Sequence, residues 1–103
     1  MNQVIDGKLL MFPDDLDVTK DGTIFFSDAS TKSDYETMVL EFLSDPSGRL
    51  IQFEPKTKKF TVLIDKVHFA NGVQLAEDEE FVLVSETGRG RVLRLMQAIY
   101  EMS

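Results

Sequence analysis

Phe12-Pro-Asp-Asp-Leu-Asp-Val-Thr-Lys-Asp-Gly-Thr-Ile-Phe-Phe-Ser-Asp28 decides how this chain reads, because a diverged second copy of it runs from Phe69 to Glu86. In the first copy Leu16 and Val18 alternate with polar neighbours, Lys20-Asp-Gly22 supplies a turn, and Ile24, Phe25 and Phe26 form an apolar run ending at Ser27-Asp28. Alternation, a glycine turn and a second apolar run predict a β-hairpin. The second copy is Phe69-Ala-Asn-Gly-Val-Gln-Leu-Ala-Glu-Asp-Glu-Glu-Phe-Val-Leu-Val-Ser-Glu86. It keeps the order, with Asn71 for Asp14, Val73 and Leu75 for Leu16 and Val18, an acidic turn, then Phe81 to Val84 and Ser85-Glu86.

The repeat continues beyond the hairpin. Gly48-Arg-Leu-Ile-Gln-Phe53 has its counterpart in Gly90-Arg-Val-Leu-Arg-Leu95, each an alternating strand that starts from a glycine. Self-similarity over tens of residues points to a solenoid, propeller or array, in which each unit buries its faces against its neighbours. Strands without helices between them select the propeller, an all-β fold. A blade of four antiparallel strands takes about 40 to 45 residues, and the excess falls in Ala29 to Pro46, an insertion between second and third strands. The expected layout is one region over 1–103, with a first blade at 1–68 that carries the insertion at 29–46. A second, incomplete blade follows at 69–95 and a tail at 96–103.

The strings D-D-L-D-V-T-K-D-G-T-I-F-F-S-D-A-S, G-R-L-I-Q-F, H-F-A-N-G-V-Q-L, F-V-L-V-S-E-T and R-V-L-R, in this order between Gly7 and Leu95, resemble the strictosidine synthase-like family. The resemblance implies a six-bladed β-propeller, distantly similar to paraoxonases and gluconolactonases, of which about two blades are present. It also implies a parent protein that acts on a small molecule in a central tunnel, as an arylesterase- or lactonase-like hydrolase or as a strictosidine synthase-like enzyme. This chain is then expected to be inactive alone. The competing expectation is a non-catalytic truncated isoform or interaction module, associating through exposed sheet edges.

Composition narrows the function classes. With 43% hydrophobic and 28% charged residues the 103-residue chain has an ordinary globular make-up. It has no cysteine, which excludes disulfides, thiolate metal sites and a cysteine nucleophile. A formal charge of −7 argues against a nucleic-acid surface and is compatible with cation binding. No apolar run approaches the ~20 residues of a membrane span, and Met1-Asn-Gln-Val-Ile-Asp6 lacks the basic and apolar regions of a signal peptide. The family resemblance suggests a secretory or membrane-anchored parent.

Taken in order, Leu9-Leu-Met11 behind Asp6-Gly7 reads as the last strand of a preceding blade. Asp14–Val18 and Thr23–Ser27 form the first hairpin around Asp21-Gly22. Tyr35, Met38, Val39, Phe42 and Leu43 follow helical spacing, so the insertion carries a short helix, capped by Ser33 or Asp34, that either lies over the ligand entrance or packs on the blade below. Arg49–Glu54 and Phe60–Asp65 make an outer hairpin. Val73–Leu75, Glu80–Ser85 and Arg89–Leu95 give three strands of the second blade, and a fourth has no candidate.

Asp14 and Asn71 open the innermost strands of the two blades, the strands that line a propeller channel. In calcium-dependent relatives the resemblance places metal-ligating Asn side chains at these positions, so Asp14 and Asn71 are the candidate calcium ligands, with Asp15 as a candidate for a second, structural ion. The alternative is that Asp14 accepts N–H bonds and Asn71-Gly72 forms a turn. In the full-length parent, face alternation is expected to direct Asp14 and Asn71 into one tunnel and to pack Leu16, Val18, Val73 and Leu75 between blades. A one-residue shift would present Asp15 and Gly72 instead. His68, the only histidine, is the candidate general base or a blade-interface residue. Asp28 and Glu86, which end equivalent strands, are expected to bond a neighbouring loop. Gly88-Arg-Gly-Arg91 lacks the strand–loop–helix setting of a phosphate cradle and reads as the start of a strand.

Overall fold

A computed structural model describes residues 4–9, 13–28, 48–67 and 69–96. The insertion with its expected helix, His68 and the tail at 97–103 lie outside the described residues. Nine strands are described: β1 (Val4–Ile5), β2 (Lys8–Leu9), β3 (Pro13–Val18), β4 (Ile24–Asp28), β5 (Gly48–Glu54), β6 (Lys59–Val67), β7 (Ala70–Leu75), β8 (Phe81–Glu86) and β9 (Arg91–Met96).

The strands β3-β4-β5-β6 form one antiparallel sheet in chain order, the first blade, and β7-β8-β9 form the second. The duplication in the sequence is reproduced down to the pairing. Leu16 faces Phe26 as Val73 faces Val84, and Asp28 faces Arg49 as Glu86 faces Arg91. Both innermost strands carry a register shift at the same place, between Pro13 and Leu16 and between Ala70 and Val73. A bulge of this kind bends a strand and re-aims its first residues.

Of the strand expected at Leu9–Met11, Leu9 lies in β2 and residues 10–11 lie outside the described residues. Asp6 and Gly7 both adopt positive φ, 52° and 76°, the type I′ geometry that lets a two-residue turn follow strand twist. Val4–Ile5 therefore folds back on Lys8–Leu9 as a separate hairpin, anchored by the buried Ile5.

Period-two alternation gives each blade two faces. The front face of the first blade presents Phe25 and Leu50, and it meets the back face of the second, which presents Val73, Val82, Val84 and Leu95. These form the core with Val67 and Ala70, and Leu75 packs against it. Each fully buried side chain of Phe25 or Leu50 size contributes roughly 1.5–3 kcal/mol. The expectation of inter-blade packing thus holds for Val73 and Leu75. Leu16 and Val18 are 57% and 46% exposed on the back face of the first blade, away from the second. That face also carries Phe26, Phe53 and Phe60; Phe60 stands edge-on to Phe26 at 6.3 Å and tilted to Phe53 at 4.5 Å.

Candidate functional site

The innermost strands β3 and β7 lie side by side, and each is an edge of its own sheet. An edge strand leaves alternate N–H groups unpaired, and a buried or half-buried N–H needs an acceptor. The acceptors here are side chains. Val73 N donates to Asp15 Oδ2 at 2.9 Å, and Leu75 N donates to Asp17 Oδ2 at 2.8 Å. The other oxygen of Asp17 accepts Val18 N at 2.9 Å, and Asp15 N donates to Ser27 Oγ at 3.2 Å. Two carboxylates spaced two residues apart on one strand thus span the gap between blades in place of a backbone ladder. Charge-assisted bonds of this kind are worth about 1.5–3 kcal/mol each, toward the lower end where solvent reaches them.

Beside this seam is a cavity of about 240 Å³ lined by Asp15, Gly72, Val73, Gln74, Leu83, Ser85 and Val92. Gly72 keeps it open. A Cβ there would lie 3.1 Å from Ser85 Oγ, whose hydroxyl contacts the Gly72 carbonyl at 3.5 Å. Asn71 is exposed at the same end of β7. The side chain of Asp14 lies outside the described residues, as does His68. The residues drawn together across the seam are Asp15 and Gly72, which the sequence placed in the alternative register.

At the end of each second strand a buried carboxylate meets the arginine that opens the third strand. Arg49 Nη2 donates to Asp28 Oδ2 at 3.0 Å, with both side chains essentially buried, and Arg49 Nη1 donates to the carbonyl of Ile5 at 2.6 Å. In the second blade Arg91 Nε donates to Glu86 Oε1 at 2.5 Å, and Arg89 Nη1 lies 3.3 Å from Glu86 Oε2. Asp28 thus bonds the directly facing strand, and Glu86 bonds both the facing strand through Arg91 and the adjoining Thr87–Arg89 turn through Arg89. The Thr87–Arg89 3-10 turn and Gly90, at φ 61°, lead into β9, so Gly88-Arg-Gly-Arg91 is the start of a strand, as expected. At the opposite rim, the hydroxyl of Thr19, followed by the amide and hydroxyl of Thr23, holds the Asp21 carboxyl below its ordinary value of 3.8.

Calcium requires six to eight oxygen ligands. Among the described residues no group of three His, Asp or Glu side chains is arranged to hold a metal, and Asp15 and Asp17 already accept main-chain N–H groups. The described residues do not form a calcium site by themselves. Sequence reasoning missed the bridging role of Asp15 and Asp17. The available signal was their alternation with Leu16 and Val18, which places both acids on one face of an edge strand.

Comparison with known proteins supports the duplicated-sheet reading. The strictosidine synthase family model matches residues 14–98. The chain is 44% identical over 95 residues to the adipocyte plasma membrane-associated protein of Rattus norvegicus, covering 88% of this chain and 25% of that protein. It is 42% identical over 97 residues to the Salmo salar protein of the same name, covering 90% and 23%. It is also 35% identical over 91 residues to the Arabidopsis thaliana protein STRICTOSIDINE SYNTHASE-LIKE 13, covering 87% and 23%. The chain spans about a quarter of the length of the curated relatives it matches. No helix among the described residues is long and apolar enough to cross a membrane. With the family model matching most of its length and its two antiparallel sheets repeating one pattern, the chain belongs to the strictosidine synthase family as part of a β-propeller.

Proposed function

We propose that the chain contributes two neighbouring blades to a small-molecule hydrolase of arylesterase or lactonase type, with β3 and β7 lining part of the ligand tunnel. The observation that carries this reading is the side-by-side placement of the two innermost strands, tied by Asp15 and Asp17, which sets positions 14 and 71 at the same end of adjacent strands. In the full-length protein Asp14 and Asn71 would give two oxygen ligands to calcium, with the others drawn from outside this chain; the ion would supply charge stabilisation for a developing oxyanion. A strictosidine synthase-like reaction is the alternative chemistry for the same tunnel. The chain by itself is expected to turn over no ester, because Asp14 and Asn71 would give at most two of the six to eight oxygen ligands that calcium takes.

The test compares the full-length protein with the 103-residue chain on aryl esters and lactones, with and without calcium. The full-length protein is expected to be active, Asn71→Ala to lower its kcat by at least about tenfold, and the chain to stay at background. Full-length protein inactive on all of these substrates sinks the hydrolase reading; activity indifferent to Asn71→Ala removes that residue from the site.

A further inference from the structure

We propose that Ser27 and Ser85 are positioning residues: each stands opposite the bulge of an innermost strand and fixes how residues 14 and 71 are presented to the tunnel. The register defines the place. From Ala70 to Val73 the chain advances three residues along β7 while its partner advances two, from Glu86 to Val84. Pro13 to Leu16 against Asp28 to Phe26 repeats this in the first blade. Two bulge residues therefore oppose one, so that Asn71 and Gly72 face Ser85 as residues 14 and 15 face Ser27.

A bulge breaks the ladder, and the main-chain groups that it frees need other partners. The serine hydroxyl reaches them in both blades. Ser27, fully buried, accepts Asp15 N at 3.2 Å. Ser85 Oγ donates to the Gly72 carbonyl at 3.5 Å. A hydroxyl both donates and accepts, so one residue type serves two bulges that free different groups.

The two bulges are also joined. Asp15, held by Ser27, accepts Val73 N at 2.9 Å, from the residue at which the second bulge closes. Ser85 meets the same segment one residue earlier. A Cβ on Gly72 would lie 3.1 Å from Ser85 Oγ and 3.9 Å from Asp15 Oδ2, so both oxygens stand on the side where a side chain would be. Before the bulge, Phe69 is held at φ 59° with its carbonyl accepting Thr87 N at 3.1 Å. Asn71 thus lies between two anchored points, and every one of these contacts is made inside the pair of blades described. Bulges recur beside active sites because they re-aim a side chain, and a displacement of about 1 Å at a reacting group can cost about a hundredfold in rate. The assignment rests on the proposed function, in which Asn71 serves the reaction.

The full-length protein and the 103-residue chain give separate readouts. In the full-length protein Ser85→Ala is expected to lower kcat on an aryl ester about tenfold with KM within about twofold of wild type, and Ser85→Thr, which keeps the hydroxyl, to stay within about threefold. A purely structural role would lower the melting temperature and leave the kcat of the folded protein unchanged. In the 103-residue chain, backbone NMR relaxation should show order parameters at Asn71 and Gly72 falling from about 0.85 toward 0.6 in Ser85→Ala and staying high in Ser85→Thr; Ser27→Ala should do the same to Asp14 and Asp15. Wild-type order in both alanine variants overturns the proposal, as does an active full-length Ser85→Ala protein with wild-type kcat. A full-length wild type inactive on these substrates sinks the hydrolase reading instead, and the order parameters then decide by themselves whether the serines fix the bulges.

Discussion

Replacing Arg49 with methionine tests how the first blade is held. Arg49 is buried, pairs with the buried Asp28 at 3.0 Å and donates to the Ile5 carbonyl at 2.6 Å. Removing one partner of a buried pair costs about 3–5 kcal/mol, because a carboxylate desolvated by folding loses its counter-charge. The lost bond to Ile5 adds about 1 kcal/mol. Against this, Arg49 Nε is buried without a hydrogen-bond partner, and removing it relieves a desolvation cost of roughly 1–3 kcal/mol. The expected net loss is about 3 kcal/mol, measured by urea unfolding followed by circular dichroism. In the second blade Arg91 has a half-exposed side chain and Glu86 keeps Arg89, so Arg91→Met should cost only about 1 kcal/mol. Asp28→Leu/Arg49→Met should recover most of the single-variant loss, since apolar side chains of similar volume replace a buried ion pair at little cost. An Arg49→Met chain within about 1 kcal/mol of wild type, or an equal loss in Arg91→Met, would refute the argument.

Two further predictions concern the seam and the rim. Asp17→Ala should destabilise the chain by about 1–2 kcal/mol and accelerate hydrogen exchange at the Leu75 amide, whereas Asp17→Asn, which keeps an acceptor, should cost less than about 1 kcal/mol; equal effects would show that the carboxylate does not bridge the blades. The folded pKa of Asp21 is depressed, so its contribution is present above the unfolded value and is lost as pH falls through the folded one, in a window below about pH 4. In an NMR titration Thr19→Ala should move the Asp21 midpoint up toward 3.8, and no movement would remove Thr19 as the principal cause.

The fold was legible because the two copies agree in pattern. Leu16/Val18 with Val73/Leu75 and Gly48-Arg49 with Gly90-Arg91 set the strands, their order and their repetition, and the family model and the two sheets agree with them. The seam was not legible. Acids that alternate with apolar residues read as solvated positions, and only the placement of β7 beside β3 shows Asp15 and Asp17 meeting its N–H groups. The N-terminal hairpin was missed because two residues per strand are too few for an alternation signal, although Asp6-Gly7 carries the turn chemistry. The partners of Asp28 and Glu86 could have been found from the duplicated Gly-Arg that opens each third strand.

The crossing between blades is short. Val67 ends β6 and Ala70 begins β7, so residues 68–69 alone carry the chain from the outermost strand of one blade to the innermost strand of the next. A chain advances at most about 3.6 Å per residue, so this leash reaches roughly 10 Å from Val67 to Ala70. Phe69 adopts φ 59°, and its carbonyl accepts Thr87 N at 3.1 Å, fixing the second blade where it arrives. At that reach the local concentration of one blade around the other is millimolar or higher, far above that of any second copy in solution. Exchange of a whole blade between chains would require the junction itself to open. The two blades should therefore melt as one unit, in a single calorimetric transition whose enthalpy belongs to both.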